Sequence, residues 1–265
     1  MSDQLNDRLA IRETVENWVM WRDAGDIPRA ERLLRDALAR RTGLLLHTHL
    51  AETVEEEEYC KGLFGCRPIE YLEQVGWLAD DVWCAHCVHL SLEDVHRFGE
   101  AGTGVAHCPS SNLRLGAGVA PVRSMLDEGV RVGLGVDGSA SNERADLLGE
   151  VKQALLVARG RGGPQALTAR EALRLGTRGG SAVLGRGDIG SLAPGKCGDF
   201  AAWRTDSLEF GGADDLVAAL VFSGPHAVDR LYVGGQAVVL EGRLARVNEL
   251  EVIHDHRRAA ERFRA

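Results

Sequence analysis

The sequence lacks any stretch close to the ~20 consecutive apolar residues that a membrane-spanning helix needs, so we expect no membrane-bound form. Its N-terminus also lacks the apolar segment of a secretion signal. Cysteine is sparse, with six in 265 residues, and the six lie in or beside apolar stretches. We therefore expect reduced thiols and a cytoplasmic location.

Positive charge is also in short supply. The chain has 31 lysines and arginines against 39 acidic residues, which gives a net charge of −8. Proteins that hold nucleic acids by neutralising phosphates usually present a concentrated basic face, so the composition argues against a nucleic-acid partner. The glycine-rich stretch at residues 185–190 is followed by no helix start and no lysine at the offset that a phosphate-binding loop needs, so its likeness to such a loop is superficial. A small uncharged molecule is the partner that this composition favours.

Polar clusters follow three short apolar runs of β type. The runs at residues 43–46, 82–85 and 130–136 lead into His47-Thr48-His49-Leu50-Ala51-Glu52, then Ala85-His86-Cys87-Val88-His89, and finally Asp137-Gly138. In parallel α/β folds, ligands gather beyond the carboxyl ends of the strands. Histidine, glutamate and aspartate in this order predict hydrolytic metal chemistry.

The hydrophobic periodicity predicts alternating strands and helices through the middle of the chain. We expect helices at residues 5–24, 29–41, 54–61 and 144–159, another starting at Pro68, and capping boxes starting at Ser91 and Thr168. A polar loop is predicted at residues 109–114, and a hairpin is predicted around Gly234-Gly235. Four βα units in succession imply a parallel sheet. The last segment, residues 248–265, is predicted to form a charged surface helix.

Five stretches carry a resemblance to a known family: LLLHTHLAET, GWLADDVWCAHCVHL, GVAHCPSSNLRLGAG, GVRVGLGVDGSASN and DIGSLAPGKCGDF. They resemble the amidohydrolase superfamily, on the branch of mononuclear zinc deaminases, and within it the 8-oxoguanine deaminases. The resemblance implies an α/β fold in which the C-terminal half of a TIM (β/α)8 barrel is followed by part of a small β-sandwich. It implies a barrel part at residues 29–190, a sandwich part at 191–246 and a C-terminal helix at 247–265.

The sequence departs from the family pattern at its beginning. Family members start upstream with sandwich strands and a His-x-His pair on the first barrel strand, and the chain carries no such start. His47-Thr48-His49 looks like that pair, but Glu52 and the motifs that follow match the fifth strand. Residues 1–28 are expected to be a separate helical segment, whose first 25 or so residues weakly resemble the start of a nuclear-transport-factor-2-like domain. We therefore expect an N-terminal truncation or a fusion.

The resemblance also implies roles for individual residues. His49 and Asp137 match metal ligands, so one Zn²⁺ per site is expected, weakly held because the first-strand pair is absent. Glu52 matches the general acid and base, while His86 and Asp137 match catalytic groups around the attacking water. Substrate recognition is expected from the loop after the third predicted strand, at Ser111, Asn112 and Arg114.

Structural explanations compete with these roles. Lone histidines are more often core or surface residues than ligands, and we interpret His47, His89 and His107 in that way. Cys84 and Cys87 lack the second ligand pair of a zinc knuckle.

Three hypotheses for function stay open. The first is zinc-dependent deamination of an aminated purine-type heterocycle, 8-oxoguanine above all, with release of ammonia. The second is a related guanine, S-adenosylhomocysteine or hydroxytriazine aminohydrolase. The third is a non-catalytic fragment or half-barrel subunit. Because half a barrel leaves two strand edges open, we expect a homo-oligomer or a complementing chain as partner.

Overall fold

The computed structural model describes Ala39 and residues 42–264. The chain divides into two compact units between Arg186 and Gly187. The helices predicted at 5–24 and 29–41, and the separate segment predicted at 1–28, lie outside the described residues except for Ala39. The predicted domain limits at 190–191 and 246–247 stay predictions.

The first unit alternates strands with helices around one parallel sheet. Its elements, in chain order, are β1 (Leu46–Leu50), α1 (Val54–Phe64), α2 (Pro68–Gln74), β2 (Val82–His86), α3 (Leu92–Ala101), β3 (Gly104–His107), α4 (Pro109–Arg114), α5 (Val122–Asp127), β4 (Val132–Leu134), α6 (Leu147–Gly162), α7 (Ala169–Arg174), a π-helical turn (Leu175–Gly179) and α8 (Gly180–Val183). The strand order is β1-β2-β3-β4, and each neighbouring pair is parallel. The four βα units predicted from the sequence are therefore present.

Local capping signals start several of these helices. The Thr53 side chain accepts the Glu56 N–H at the start of α1. Reciprocal capping boxes join Ser91 to Asp94 at α3 and Thr168 to Glu171 at α7, as predicted. Short-range hydrogen bonds of this kind satisfy the free N–H groups at a helix start, which is why the sequence alone predicts these starts.

The core of the first unit lies where helices cover the sheet. Cys84, Val105 and Val132 are successive partners across β2, β3 and β4, and all three are buried. The π-helical turn approaches β4 so closely that a Cβ on Gly179 would lie 2.2 Å from the Val132 carbonyl oxygen. Only a residue without a side chain fits there, so this glycine sets the distance between turn and strand.

Arg131 ties together the segments at the amino ends of the strands. Its guanidinium donates to the carbonyl oxygens of Asp80, Gly102 and Ala182. The Asp80 carbonyl precedes β2, the Gly102 carbonyl precedes β3, and the Ala182 carbonyl lies in α8. One side chain therefore connects three segments.

Two predicted strand boundaries and one predicted loop were wrong. The first strand covers Leu46–Leu50 instead of residues 43–46, because its residues pair with β2 from Leu46 to Leu50. β4 is limited to Val132–Leu134. The predicted loop at residues 109–114 is helix α4, which Pro109 starts and the Asn112 N–H closes onto the Cys108 carbonyl.

The second unit contains an antiparallel sheet. Its elements are β5 (Phe200–Ala202), a 3₁₀ turn (Leu208–Phe210), α9 (Leu216–Ser223), β6 (Arg230–Val233), β7 (Gln236–Leu240), β8 (Arg243–Leu244) and α10 (Glu249–Arg264). The sheet order is β5-β6-β7-β8, and the predicted hairpin at Gly234-Gly235 joins β6 to β7. Across the described residues, the helices are too short or too polar to cross a membrane.

Candidate active site

Three side chains with metal-binding atoms meet at the carboxyl ends of β1, β2 and β4. They are His49, His86 and Asp137, and one ligand atom from each lies within 4.8 Å of the others. His49 Nε2 lies 3.9 Å from Asp137 Oδ1, and the His49 and His86 rings stack with centroids 4.9 Å apart. The structure therefore brings together residues that are 88 positions apart in the chain, at the sheet edge where the sequence predicted a site.

The backbone at these strand ends adopts conformations that non-glycine residues rarely take. Ala51, His86, Cys87 and Asp137 all have positive φ, between 50° and 70°. Each such residue costs about 1–3 kcal/mol, and strain of this kind clusters at functional sites. Hydrogen bonds across the strand ends hold the geometry, since the Cys87 N–H donates to Leu50 and the Val88 N–H donates to Ala51.

His86 is fully buried, and its two ring nitrogens have different surroundings. Nδ1 lies 2.8 Å from the amide oxygen of Asn112. A carbonyl oxygen can only accept, so Nδ1 donates and, in a neutral ring, Nε2 carries the lone pair. Nε2 is buried and has no hydrogen-bond partner among the described residues. A buried lone pair without a partner fits a metal ligand.

Asp137 is held in its ionised form. Its Oδ2 accepts the hydroxyls of Ser111 at 2.5 Å and Ser141 at 2.8 Å, which leaves Oδ1 on the side of His49. Burial acts to raise the pKa of Asp137, but these hydrogen bonds outweigh it and lower the pKa to about 2. Two neutral nitrogens and one carboxylate form a donor set that suits Zn²⁺, so the residues present fit the metal that the sequence predicted.

Glu52 lies beside this group, just beyond β1. Its Oε1 is 3.5 Å from His86 Nδ1, and its side chain is 22% exposed. The bend that carries it is fixed by Glu56, whose carboxylate accepts the backbone N–H groups of Ala51 and Glu52 at 2.8 Å each. Glu52 is therefore positioned next to the candidate ligands while it keeps access to solvent.

The three residues predicted to bind substrate lie in different surroundings. Ser111 and Asn112 are completely buried, and their side chains contact Asp137 and His86. Arg114 is half-exposed at the end of α4 and pairs with Glu143 at 2.6 Å. Ser111 and Asn112 therefore belong to the site through their contacts with Asp137 and His86. The predicted contact of all three residues with substrate stays a prediction.

Two of the histidines interpreted as structural, His47 and His107, lie outside the group of three candidate ligands. His47 stacks on Trp83 with ring centroids 3.7 Å apart. His107 is buried, and its pKa is lowered to about 4, mainly by burial and to a smaller extent by the nearby His86. His107 is therefore neutral near pH 7.

Sequence reasoning missed three residues that support the site: Ser141, Glu56 and Glu150. Ser141 stands four positions after Asp137, and a polar residue at that offset is a signal that could have been used. Glu56 stands in an acidic run, which is typical of a solvated helix face, and its contact depends on the sharp bend at Ala51. Glu150 accepts hydrogen bonds from Ser110 and Asn142, and no local pattern indicates this.

The chain is similar to known proteins over most of its length. The model of the amidohydrolase family matches residues 19–238. The 8-oxoguanine deaminase of Pseudomonas aeruginosa is 45% identical over 223 residues, which cover 84% of this chain and 50% of that protein. A 5-methylthioadenosine/S-adenosylhomocysteine deaminase of Desulforudis audaxviator is 41% identical, over 82% of this chain and 51% of its own.

A solved structure shows the same likeness. Atrazine chlorohydrolase TrzN from Arthrobacter aurescens TC1, complexed with zinc, has a TM-score of 0.82 at 35% identity, over 86% of this chain and 51% of its own. The chain thus spans about half the length of the relatives it matches. The predicted fold class, α/β with part of a (β/α)8 barrel followed by part of a β-sandwich, is confirmed. On the extent of these matches, the chain belongs to the amidohydrolase family.

Proposed function

We propose that the chain is a hydrolase of C–N bonds that deaminates an aminated purine-type heterocycle, with 8-oxoguanine as the first candidate substrate. The observation that carries the proposal is the meeting of His49, His86 and Asp137 beside Glu52. The printed activity of the 45% identical relative supports the choice of substrate. We expect a protein of the cytoplasm that acts on a small molecule.

The reaction exchanges an exocyclic amine for an oxygen. Water adds to the ring carbon that bears the amine, the C–N bond breaks, and ammonia leaves while the ring keeps a carbonyl. A proton must leave the water and reach a ring nitrogen, and later the departing amine. Glu52 is the residue proposed to carry it, because it is partly exposed and lies 3.5 Å from the buried His86 ring.

His49 and Asp137, the ligands predicted from the sequence, would hold a single Zn²⁺. His86, predicted as a catalytic group, would be a third ligand through its buried Nε2. When bound, zinc supplies Lewis-acid activation of water near neutral pH. Asp137 stays ionised, and Asn112 fixes the tautomer of His86 through Nδ1. Three protein ligands are the usual number at a catalytic zinc site. We expect weaker binding than at a site that also has the His-x-His pair, because affinity increases with each preorganised ligand.

Ser111, Asn112 and Arg114 are proposed to shape recognition of the heterocycle. Ser111 and Asn112 would act by orienting Asp137 and His86 toward the substrate. The Arg114 guanidinium is exposed, and it would leave Glu143 to donate to an acceptor on the ring.

A second candidate is deamination of another heterocycle of the same branch. The named activity of the Desulforudis relative favours S-adenosylhomocysteine. The similar atrazine chlorohydrolase is named for a triazine, which supports including a hydroxytriazine among the candidates. Guanine completes the panel. Relative rates of ammonia release from these compounds discriminate between them.

A third candidate is a half-barrel subunit that works with a second copy or a complementing chain. The observation that favours it is the four-stranded parallel sheet of the described residues, in which β1 and β4 each pair with one strand only. Turnover that increases more steeply than protein concentration would support this assembly.

The test is ammonia release by zinc-loaded protein, with Glu52→Gln as the variant. We expect Glu52→Gln to lose about 10²–10⁴-fold in turnover, the range for a general acid and base, while it keeps its zinc. Glu55→Gln is the matched control, because Glu55 is a neighbouring carboxylate in the first turn of α1. Equal turnover by Glu52→Gln and the parent chain would refute the role of Glu52.

A further inference from the structure

Glu150 is a buried carboxylate that the proposed mechanism does not use. It lies in α6, and only 2% of its surface is exposed. Its Oε2 accepts the backbone N–H of Ser110 at 3.0 Å, and its Oε1 accepts the side-chain amide of Asn142 at 2.9 Å. Burying a charge is costly unless it is hydrogen-bonded, so these two bonds are what make Glu150 tolerable at this position.

Both partners of Glu150 belong to segments that hold the candidate metal ligands. Ser110 lies in α4 beside Ser111 and Asn112, whose side chains contact Asp137 and His86. Asn142 follows Ser141, whose hydroxyl donates to Asp137. Helix α4 follows β3, and the turn that carries Asn142 follows β4. The Glu150 carboxylate bridges these two segments.

We propose that Glu150 is a positioning residue that sets the geometry of the metal site from outside it. The carboxylate holds α4 and the turn at 138–142 at one spacing, and through them it places the Ser111 and Ser141 hydroxyls on Asp137 Oδ2. Asp137 Oδ1 is thereby kept on the side of His49. The inference rests on the proposed function in one respect, namely that this group binds a metal.

The chemistry of the bridge dictates the variants. In Glu150→Leu, the Ser110 N–H and the Asn142 amide both lose their acceptor in a buried site. In Glu150→Gln, the side-chain oxygen can accept from Ser110 while the new amide donates to Asn142, whose own amide turns over to present its oxygen. Glu150→Gln is therefore the conservative variant that should retain the bridge.

The control is Val151→Ala, the next residue of α6. Val151 is buried, and it lies where it would contact a Cβ added to Gly176 in the π-helical turn. This substitution leaves a cavity in the core of the same helix and removes neither of the two hydrogen bonds that Glu150 accepts. It separates general destabilisation from loss of the bridge.

The experiment is zinc titration of the full chain by calorimetry. Outer hydrogen-bond partners of metal ligands typically contribute about 10–100-fold to affinity, and we expect a loss of that size in Glu150→Leu. Glu150→Gln and Val151→Ala should bind zinc about as tightly as the parent. Unchanged affinity in folded Glu150→Leu would overturn the proposal, and so would an equal loss in Val151→Ala.

A metal-free measurement separates this proposal from the proposed function. Hydrogen exchange at the Ser110 amide should be faster in Glu150→Leu than in the parent and in Val151→Ala.

If the parent binds zinc but releases no ammonia from any heterocycle, the proposed function fails while the affinity test still decides the role of Glu150. If the parent binds no zinc, the proposal fails with it. If Glu150→Leu does not fold, Asn142→Ala takes its place with an expected loss of about 10-fold, and full affinity would overturn the proposal.

Discussion

Substituting alanine at two adjacent glycines should change stability in opposite directions. Gly179 ends the π-helical turn, and a Cβ there would lie 2.2 Å from the Val132 carbonyl oxygen and 3.2 Å from that of Arg174. Gly180 begins α8, and a Cβ there would meet nothing within 4 Å. Both glycines have helical φ and ψ, so backbone strain does not distinguish them.

The magnitudes follow from the two environments. Alanine is favoured over glycine in a helix by about 1 kcal/mol, so Gly180→Ala should increase the free energy of unfolding by up to that amount. Gly179→Ala gains the same propensity but must push the turn away from β4. Overpacking costs about 1–3 kcal/mol or more, and a backbone oxygen cannot rotate aside as a flexible side chain can. At 2.2 Å the cost lies at the upper end of that range, so after the gain in propensity Gly179→Ala should lose about 2 kcal/mol or more on balance.

Urea unfolding followed by far-ultraviolet circular dichroism measures both variants against the parent. The expected order of midpoints is Gly180→Ala above the parent and Gly179→Ala below it, with m-values unchanged. Gly179→Ala at or above the parent midpoint would refute the close packing of the turn on β4.

Two further predictions concern charged side chains that make several hydrogen bonds. Asp94→Asn should cost about 1.5–3 kcal/mol at pH 7, because the buried carboxylate accepts two hydrogen bonds from Arg67. Burial acts to raise the pKa of Asp94, but hydrogen bonds from Arg67 and Ser91 hold this pKa below 3.8. The stabilisation is therefore present above pH 3.8 and is lost as the pH falls through the folded-state pKa. Urea midpoints of parent and variant should converge as the pH is lowered below 3.8, and a constant gap would contradict the assignment. Arg131→Met should cost about 1–3 kcal/mol by calorimetry, because several carbonyls lose their donor, whereas Glu73→Gln at the exposed pair with Arg97 should cost less than about 1 kcal/mol.

Much of the fold could be predicted because its signals are local. The capping boxes at Ser91 and Thr168 and the hairpin at Gly234-Gly235 each depend on residues within four positions. The loop predicted at residues 109–114 was wrong because serine and asparagine favour turns, whereas Pro109 at the first helical position starts a short helix.

The candidate site was predictable only in part. His49, Glu52, His86 and Asp137 follow apolar runs, so their placement at one sheet edge could be inferred. Glu150 could not be found in this way, since its bond to Ser110 spans 40 positions and depends on how α6 packs against α4. The π-helical turn escaped prediction for the same reason, because its fit to β4 is a tertiary contact.

We propose that this chain carries a working metal site for deamination. Zinc content by elemental analysis of purified protein, paired with ammonia release from 8-oxoguanine, tests this proposal. We expect close to one zinc per chain and ammonia release that Glu52→Gln lowers by about 10²–10⁴-fold. Little zinc, together with no ammonia from 8-oxoguanine, guanine, S-adenosylhomocysteine or a hydroxytriazine, would contradict it.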